Sequence, residues 1–81
     1  MHTKEDLEEQ AEREKNKGNE AFRAGDFPEA LAYYTRSISL NAIPAVFNNR
    51  AMAFIKLEKF QEAIQDCNSV LKTETKNIKG L

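Results

Sequence analysis

The sequence holds no tryptophan, one histidine, one cysteine, two prolines and three glycines. A single cysteine, Cys67, excludes an internal disulfide and fits a reducing compartment. His2 stands alone near the N-terminus, with no partner at the spacing of a metal site or a catalytic triad. No glycine-rich phosphate loop is present, because Gly18-Asn19-Glu20-Ala21-Phe22 sits inside a helical pattern. No run approaches the roughly 20 apolar residues of a membrane span, and no signal peptide is visible. A cytoplasmic protein is the default expectation. The net charge of −1 lacks the basic excess of a nucleic-acid binder. These absences together predict a protein that is not an enzyme, binds no metal or cofactor, and engages neither nucleic acid nor membrane.

What is present is an ordinary globular balance, 41% hydrophobic and 31% charged over 81 residues. That length allows one small domain, which buries only about 60–65% of the surface its unfolded chain exposes. The apolar residues recur at helical spacing throughout. Residues 1–10 are polar and acid-rich and read as a helix start, with a capping box between Thr3 and Asp6. The first helix is predicted from about Glu5 to Ala24 and ends at Gly25, a residue that takes the left-handed conformation cheaply. Asp26 caps the second helix, with Pro28 in its first turn, and the stripe Phe27, Ala30, Leu31, Tyr34, Ser37, Ile38 carries it to Leu40. Pro44 opens a third helix that buries Phe47, Ala51, Phe54 and Ile55 and ends near Leu57. After a tight turn at Glu58-Lys59, a fourth helix runs from Phe60 to about Lys72 and buries Phe60, Ala63, Ile64, Cys67, Val70 and Leu71. In that stripe Cys67 is a small buried hydrophobe rather than a nucleophile. A polar link and a stub, Ile78-Lys79-Gly80-Leu81, follow.

The second half repeats the first. Ala30 and Ala63, Phe27 and Phe60, Glu29 and Glu62, Leu31 and Ile64, Ile38 and Leu71, Gly18 and Ala51, and Phe22 and Ile55 are all separated by the same number of positions. Each pair keeps size class or chemistry. The pattern resembles the tetratricopeptide repeat, a helix–turn–helix unit of about 34 residues. The family's small and large packing positions fall at Gly18, Ala30, Tyr34 and Ser37 in the first repeat, and at Ala51, Ala63, Cys67 and Val70 in the second. The resemblance implies an all-α fold of two antiparallel hairpins: repeat one over residues 11–43, repeat two over 44–77, and the start of a third repeat or capping helix over 78–81. Three features depart from the pattern. Glu14 stands where a large apolar residue packs, no proline closes repeat one at the usual point, and that repeat is one residue short.

One subclass of the family grips the acidic C-terminal tails of the chaperones Hsp70 and Hsp90, which end in an EEVD-type sequence, through a five-residue carboxylate clamp. The resemblance places clamp residues at Lys15 and Asn19 in K-N-K-G-N, Asn49 in N-N-R-A, and Lys79 in N-I-K-G; the fifth position falls beyond Leu81. Lysines supply charge and asparagine amides donate without adding it, which suits a terminus carrying two carboxylates. Read singly, Lys15 and Lys79 are also consistent with solvated lysines, and Asn19 and Asn49 with local backbone partners. Asn48 supports its neighbour, and Met52 is a candidate contact for an apolar ligand residue. Tyr33 and Tyr34 read as structural, one in the core and one at its margin.

These residues imply a co-chaperone-type adaptor, with a scaffold that binds another partner or self-associates as the alternative. The wording A-E-R-E-K-N-K-G-N-E-A-F, Y-Y-T-R-S-I-S and N-N-R-A is similar to the sperm-associated-antigen group, which implies a role in cytoplasmic assembly of dynein arms. Because about three repeats are needed for independent stability, the chain is expected to be a segment of a longer protein. Low stability, or association through an open face at Ala63, Cys67 and Val70, is expected with it, and tail binding weaker than that of a complete module.

Overall fold

The computed structural model describes residues 3–79, with side chains for 3–72. Four helices follow one another: α1 (Lys4–Arg23), α2 (Phe27–Leu40), α3 (Pro44–Lys56) and α4 (Phe60–Lys79). Helices α1 and α2 pack as one hairpin and α3 and α4 as a second, joined through α2 against α3. The result is a slab 40 × 35 × 16 Å.

Local chemistry sets the boundaries. Thr3 and Asp6 form a reciprocal capping box at the start of α1. Asp26 accepts from the Glu29 amide at 3.2 Å to cap α2, and Pro44 opens α3 where no amide donor is needed. The two hairpin turns are copies. The Gly25 N–H donates to the Phe22 carbonyl and Asp26 N–H to Ala21, while Glu58 N–H donates to Ile55 and Lys59 N–H to Phe54. Both are Schellman endings, in which a left-handed residue turns the next amides back onto the orphan carbonyls of the last helical turn. Gly25 (φ 82°) and Glu58 (φ 60°) take that left-handed conformation at the same separation as the paired side chains, so the period is written into the backbone too. Glutamate bears a steric cost there that glycine avoids.

The core is built from small residues around one ring. Ala21, Ala30, Tyr34, Val46 and Ala53 form it, with Phe22, Leu31, Tyr33, Ile38 and Ile43 packed against them. The buried Ser37 hydroxyl donates to the Ala11 carbonyl at 2.7 Å, tying α2 to α1. Glu14, the polar departure from the repeat pattern, accepts from Arg36 Nε at 2.8 Å, and the Arg36 guanidinium lies 4.7 Å from the centre of the Tyr33 ring. An ion pair resting on an aromatic face replaces the expected apolar contact.

The expectations for the second hairpin are corrected at several points. Helix α3 buries Val46 and Ala53 completely, beside Ala51, while Ile55 is exposed. It packs on α2 and α4 together, so it buries two faces where a one-stripe reading counts a single face. Helix α4 turns Ala63, Asp66 and Val70 inward, and leaves Phe60, Ile64, Cys67 and Leu71 exposed. Cys67 is therefore not a buried small hydrophobe. Asp66 takes the inward position because Arg50 of α3 pairs with it, which rotates the apolar stripe of α4 outward by about one residue. The open face consequently holds Cys67 but not Ala63 or Val70. Helix α4 also runs to Lys79 without a break near Lys72. The side chains of Ile78 and Lys79, with His2, Gly80 and Leu81 entire, lie outside the described residues.

Candidate functional site

The site begins with a missing side chain. Gly18 is buried in α1, and a Cβ placed on it would lie 2.6 Å from both Cδ1 and Cε1 of Tyr34. Its bare backbone lets the Tyr34 ring of α2 rest directly on α1. That contact carries the phenol to the next residue, Asn19, whose Oδ1 accepts from Tyr34 Oη at 2.6 Å. Burial pushes the Tyr34 phenol above its ordinary value of 10.0, against the opposing pull of the Arg23 charge. At neutral pH it is protonated and donates.

The same oxygen of Asn19 accepts a second hydrogen bond, from Asn49 Nδ2 of α3 at 3.2 Å. Two donors from two other helices thus hold one carbonyl, and the rest of the amide is fixed by planarity. Among the described residues the Nδ2 group of Asn19 has no acceptor of its own. Asn19, Phe22, Arg23, Tyr34, Asn49 and Met52 line a cavity of about 170 Å³. Its walls offer amide donors, two aromatic rings, a thioether and one guanidinium. Such a lining suits a ligand with both an anionic and an apolar group.

Lys15 lies one helical turn before Asn19 on the same face of α1. It is half-buried and forms no ion pair among the described residues. Asn19 and Asn49 are brought into direct contact. Met52 is half-exposed and lines the same cavity, whereas Asn48 is exposed and does not line it. Lys79 ends α4, but its side chain is not among those described. Of the repeat positions, Gly18, Ala30, Tyr34, Ala51 and Ala63 are buried, and Cys67 is the exception noted above.

Sequence reasoning missed two contributors. Tyr34, read there as a packing residue, also supplies the hydroxyl that orients Asn19. Arg23 lines the cavity one turn beyond Asn19, and the signal was in plain view: Lys15, Asn19 and Arg23 follow one another at i, i+4 and i+8. Among the described residues there is no group of three or more metal-ligating side chains, and no helix long and apolar enough to cross a membrane.

Comparison with known proteins bears on the helical repeat. A family model described as tetratricopeptide repeat matches residues 44–77. Sperm-associated antigen 1 of Homo sapiens is 55% identical over 71 residues, covering 88% of this chain and 8% of that protein. Stress-induced-phosphoprotein 1 of Caenorhabditis elegans is 41% identical over 71 residues, covering 86% and 22%. The mitochondrial import receptor subunit TOM70 of Rattus norvegicus is 40% identical over 77 residues, covering 88% and 13%. The chain thus spans less than a quarter of the length of each of these relatives. With one hairpin matched by the family model and the other repeating its turn bond for bond, the chain belongs to the tetratricopeptide repeat family and is a helical protein–protein interaction module.

Proposed function

We propose that this module grips the acidic C-terminal tail of Hsp70 or Hsp90, as a cytoplasmic co-chaperone adaptor. A carboxylate clamp of Lys15, Asn19 and Asn49, completed by Lys79, would hold the terminal aspartate. The observation that carries the reading is the doubly held Asn19 amide. Its oxygen is occupied by Tyr34 and Asn49, so it meets a ligand as a donor and accepts a carboxylate without reorganising. Lys15 then brings an uncommitted positive charge within one turn of that donor. A carboxylate has about four lone-pair sites to satisfy, and this pairing of one ammonium with amide donors supplies them from both hairpins. Met52 and Phe22 give the penultimate valine of such a tail an apolar surface.

Calorimetric titration with a tail peptide ending in Glu-Glu-Val-Asp tests the clamp. Lys15→Ala and Asn49→Ala are each expected to weaken binding by about 1–3 kcal/mol while circular dichroism stays unchanged. Amidation of the peptide terminus and added salt should both weaken it further. Unchanged affinity in both variants removes the clamp.

One observation favours a second reading, self-association. Phe60, Ile64 and Leu71 are 56%, 55% and 57% exposed along one face of α4, with Cys67 among them, and contiguous apolar surface of that kind marks an interaction face. Sedimentation equilibrium then gives a mass that rises with concentration, and Ile64→Lys abolishes the rise. A monomer at all concentrations removes this reading and leaves the clamp untouched.

A further inference from the structure

Arg23 is the cavity residue to which the clamp assigns no task. Of the described arginines, Arg36 and Arg50 are each paired with a carboxylate, Glu14 and Asp66, while Arg13 forms no ion pair among the described residues and does not line the cavity. Arg23 is exposed, forms no ion pair among the described residues, and lines the same cavity as Asn19, Asn49, Phe22 and Met52. An uncommitted guanidinium beside a row of amide donors recognises a second anionic group on the same ligand.

Spacing says where on the ligand that group lies. Asn19 and Arg23 are one turn apart on α1, about 6 Å along its axis. An extended peptide advances about 3.3 Å per residue and turns alternate side chains to the same side. The residue two before a clamped terminus therefore lies about 6.6 Å back, on the same side as the terminal side chain. That distance matches the step from Asn19 to Arg23. Phe22 and Met52 line the cavity with them, so the intervening side chain meets apolar surface. The fork of the guanidinium fits a carboxylate with two parallel hydrogen bonds, which an ammonium does not.

We infer that Arg23 is a specificity-determining residue, reading an acidic side chain two residues before the C-terminus of the bound peptide. The inference rests on the clamp reading and adds to it a selection among free C-termini. A peptide with a terminal aspartate, an apolar penultimate residue and an acid before that is preferred over one with a neutral residue at that third place.

The test is a double-mutant cycle read by calorimetry. Free-acid peptides ending in Glu-Glu-Val-Asp and Glu-Gln-Val-Asp are titrated into the unaltered chain, Arg23→Gln and the control Lys56→Gln, an exposed lysine that does not line the cavity. The neutral peptide should bind the unaltered chain and the control about three- to tenfold more weakly than the acidic one. The two peptides should bind Arg23→Gln equally. Lys15-dependent binding with no preference between the peptides overturns the role of Arg23 and leaves the clamp standing. A preference that persists in Arg23→Gln does the same. Failure of both peptides to bind any of the chains overturns the clamp and this inference together.

Discussion

Arg50→Ala is expected to lower stability by about 3–5 kcal/mol, as removal of one partner from a buried ion pair does. Arg50 Nε and Nη2 donate to the two oxygens of Asp66 at 2.9 and 2.7 Å, and Nη1 donates to Thr35 Oγ1 at 3.2 Å. Its guanidinium lies 5.6 and 5.7 Å from the ring centres of Phe47 and Phe54, on the preceding and following turns of α3. One side chain thus joins α2, α3 and α4. The side chain of Asp66 is 4% exposed and that of Arg50 19%, so the loss is asymmetric. Without Arg50 a carboxylate is stranded in the interior, whereas without Asp66 the guanidinium still reaches water, and Asp66→Ala should cost less. Total stability for 81 residues is about 4–12 kcal/mol, so Arg50→Ala leaves a protein near or below half-folded at the lower end. Urea unfolding followed by circular dichroism measures both losses. The pair Arg50→Met with Asp66→Leu should recover most of the stability, because replacing a buried pair by apolar residues of similar size is often neutral or better. A loss under about 1 kcal/mol for Arg50→Ala, the range of an exposed pair, would show that the hairpins stack without this bridge.

That ion pair also marks the limit of what the sequence discloses. The helix ends up to the start of α3 were legible because their causes are local: Thr3 with Asp6, Gly25, Asp26 and Pro44 each act within a few residues of the boundary they set. The continuation of α4 to Lys79 was not legible. The repeat was legible because a shared fold leaves its period in the chain. The inward face of α4 was not. Asp66 interrupts an apolar stripe, and a carboxylate reads as solvent-facing until Arg50, on the preceding helix, is seen to neutralise it. Reading Asp66 outward forces Cys67 inward, which is the error the structure corrects. Glu14 follows the same logic, since its partner Arg36 sits on α2 and not on its own helix. In the candidate site, a motif pointed to Lys15, Asn19 and Asn49, and the structure brings the two asparagines into contact. Arg23 belongs to no motif, and its place in the row of Lys15 and Asn19 gained meaning only when a cavity joined it to Asn19 and Asn49. Val46 and Ala53 were missed because α3 faces two neighbours, and one-sided periodicity cannot express two buried faces.

Gly18→Ala should destabilise the protein and weaken ligand binding in one step, although local propensity points the other way. In a helix interior alanine exceeds glycine by about 1 kcal/mol, so an unencumbered Gly18 would make the substitution stabilising. The new Cβ, however, lies 2.6 Å from Tyr34 Cδ1 and Cε1 and 3.2 Å from Cζ, well inside carbon–carbon contact. The ring cannot yield cheaply: it is 2% exposed and packed among Ala21, Ala30, Val46 and Ala53. Overpacking of this kind costs about 1–3 kcal/mol, which offsets the propensity gain and leaves a net loss of up to about 2 kcal/mol. Any shift of the ring carries Tyr34 Oη away from Asn19 Oδ1, now 2.6 Å distant, and frees the amide to rotate. Tail-peptide affinity should therefore fall in calorimetry even where the variant is fully folded. Gly25→Ala separates the two causes. It meets no atom within 4 Å, but its φ of 82° suits glycine, so it should lose about 1 kcal/mol and leave the affinity unchanged. Adding Tyr34→Leu to Gly18→Ala removes the ring that the methyl strikes, and the double variant should lose less stability than the sum of the two single changes. Strict additivity, or a Gly18→Ala chain more stable than its parent, would mean that the ring does not rest on the glycine and that Asn19 is oriented by something else.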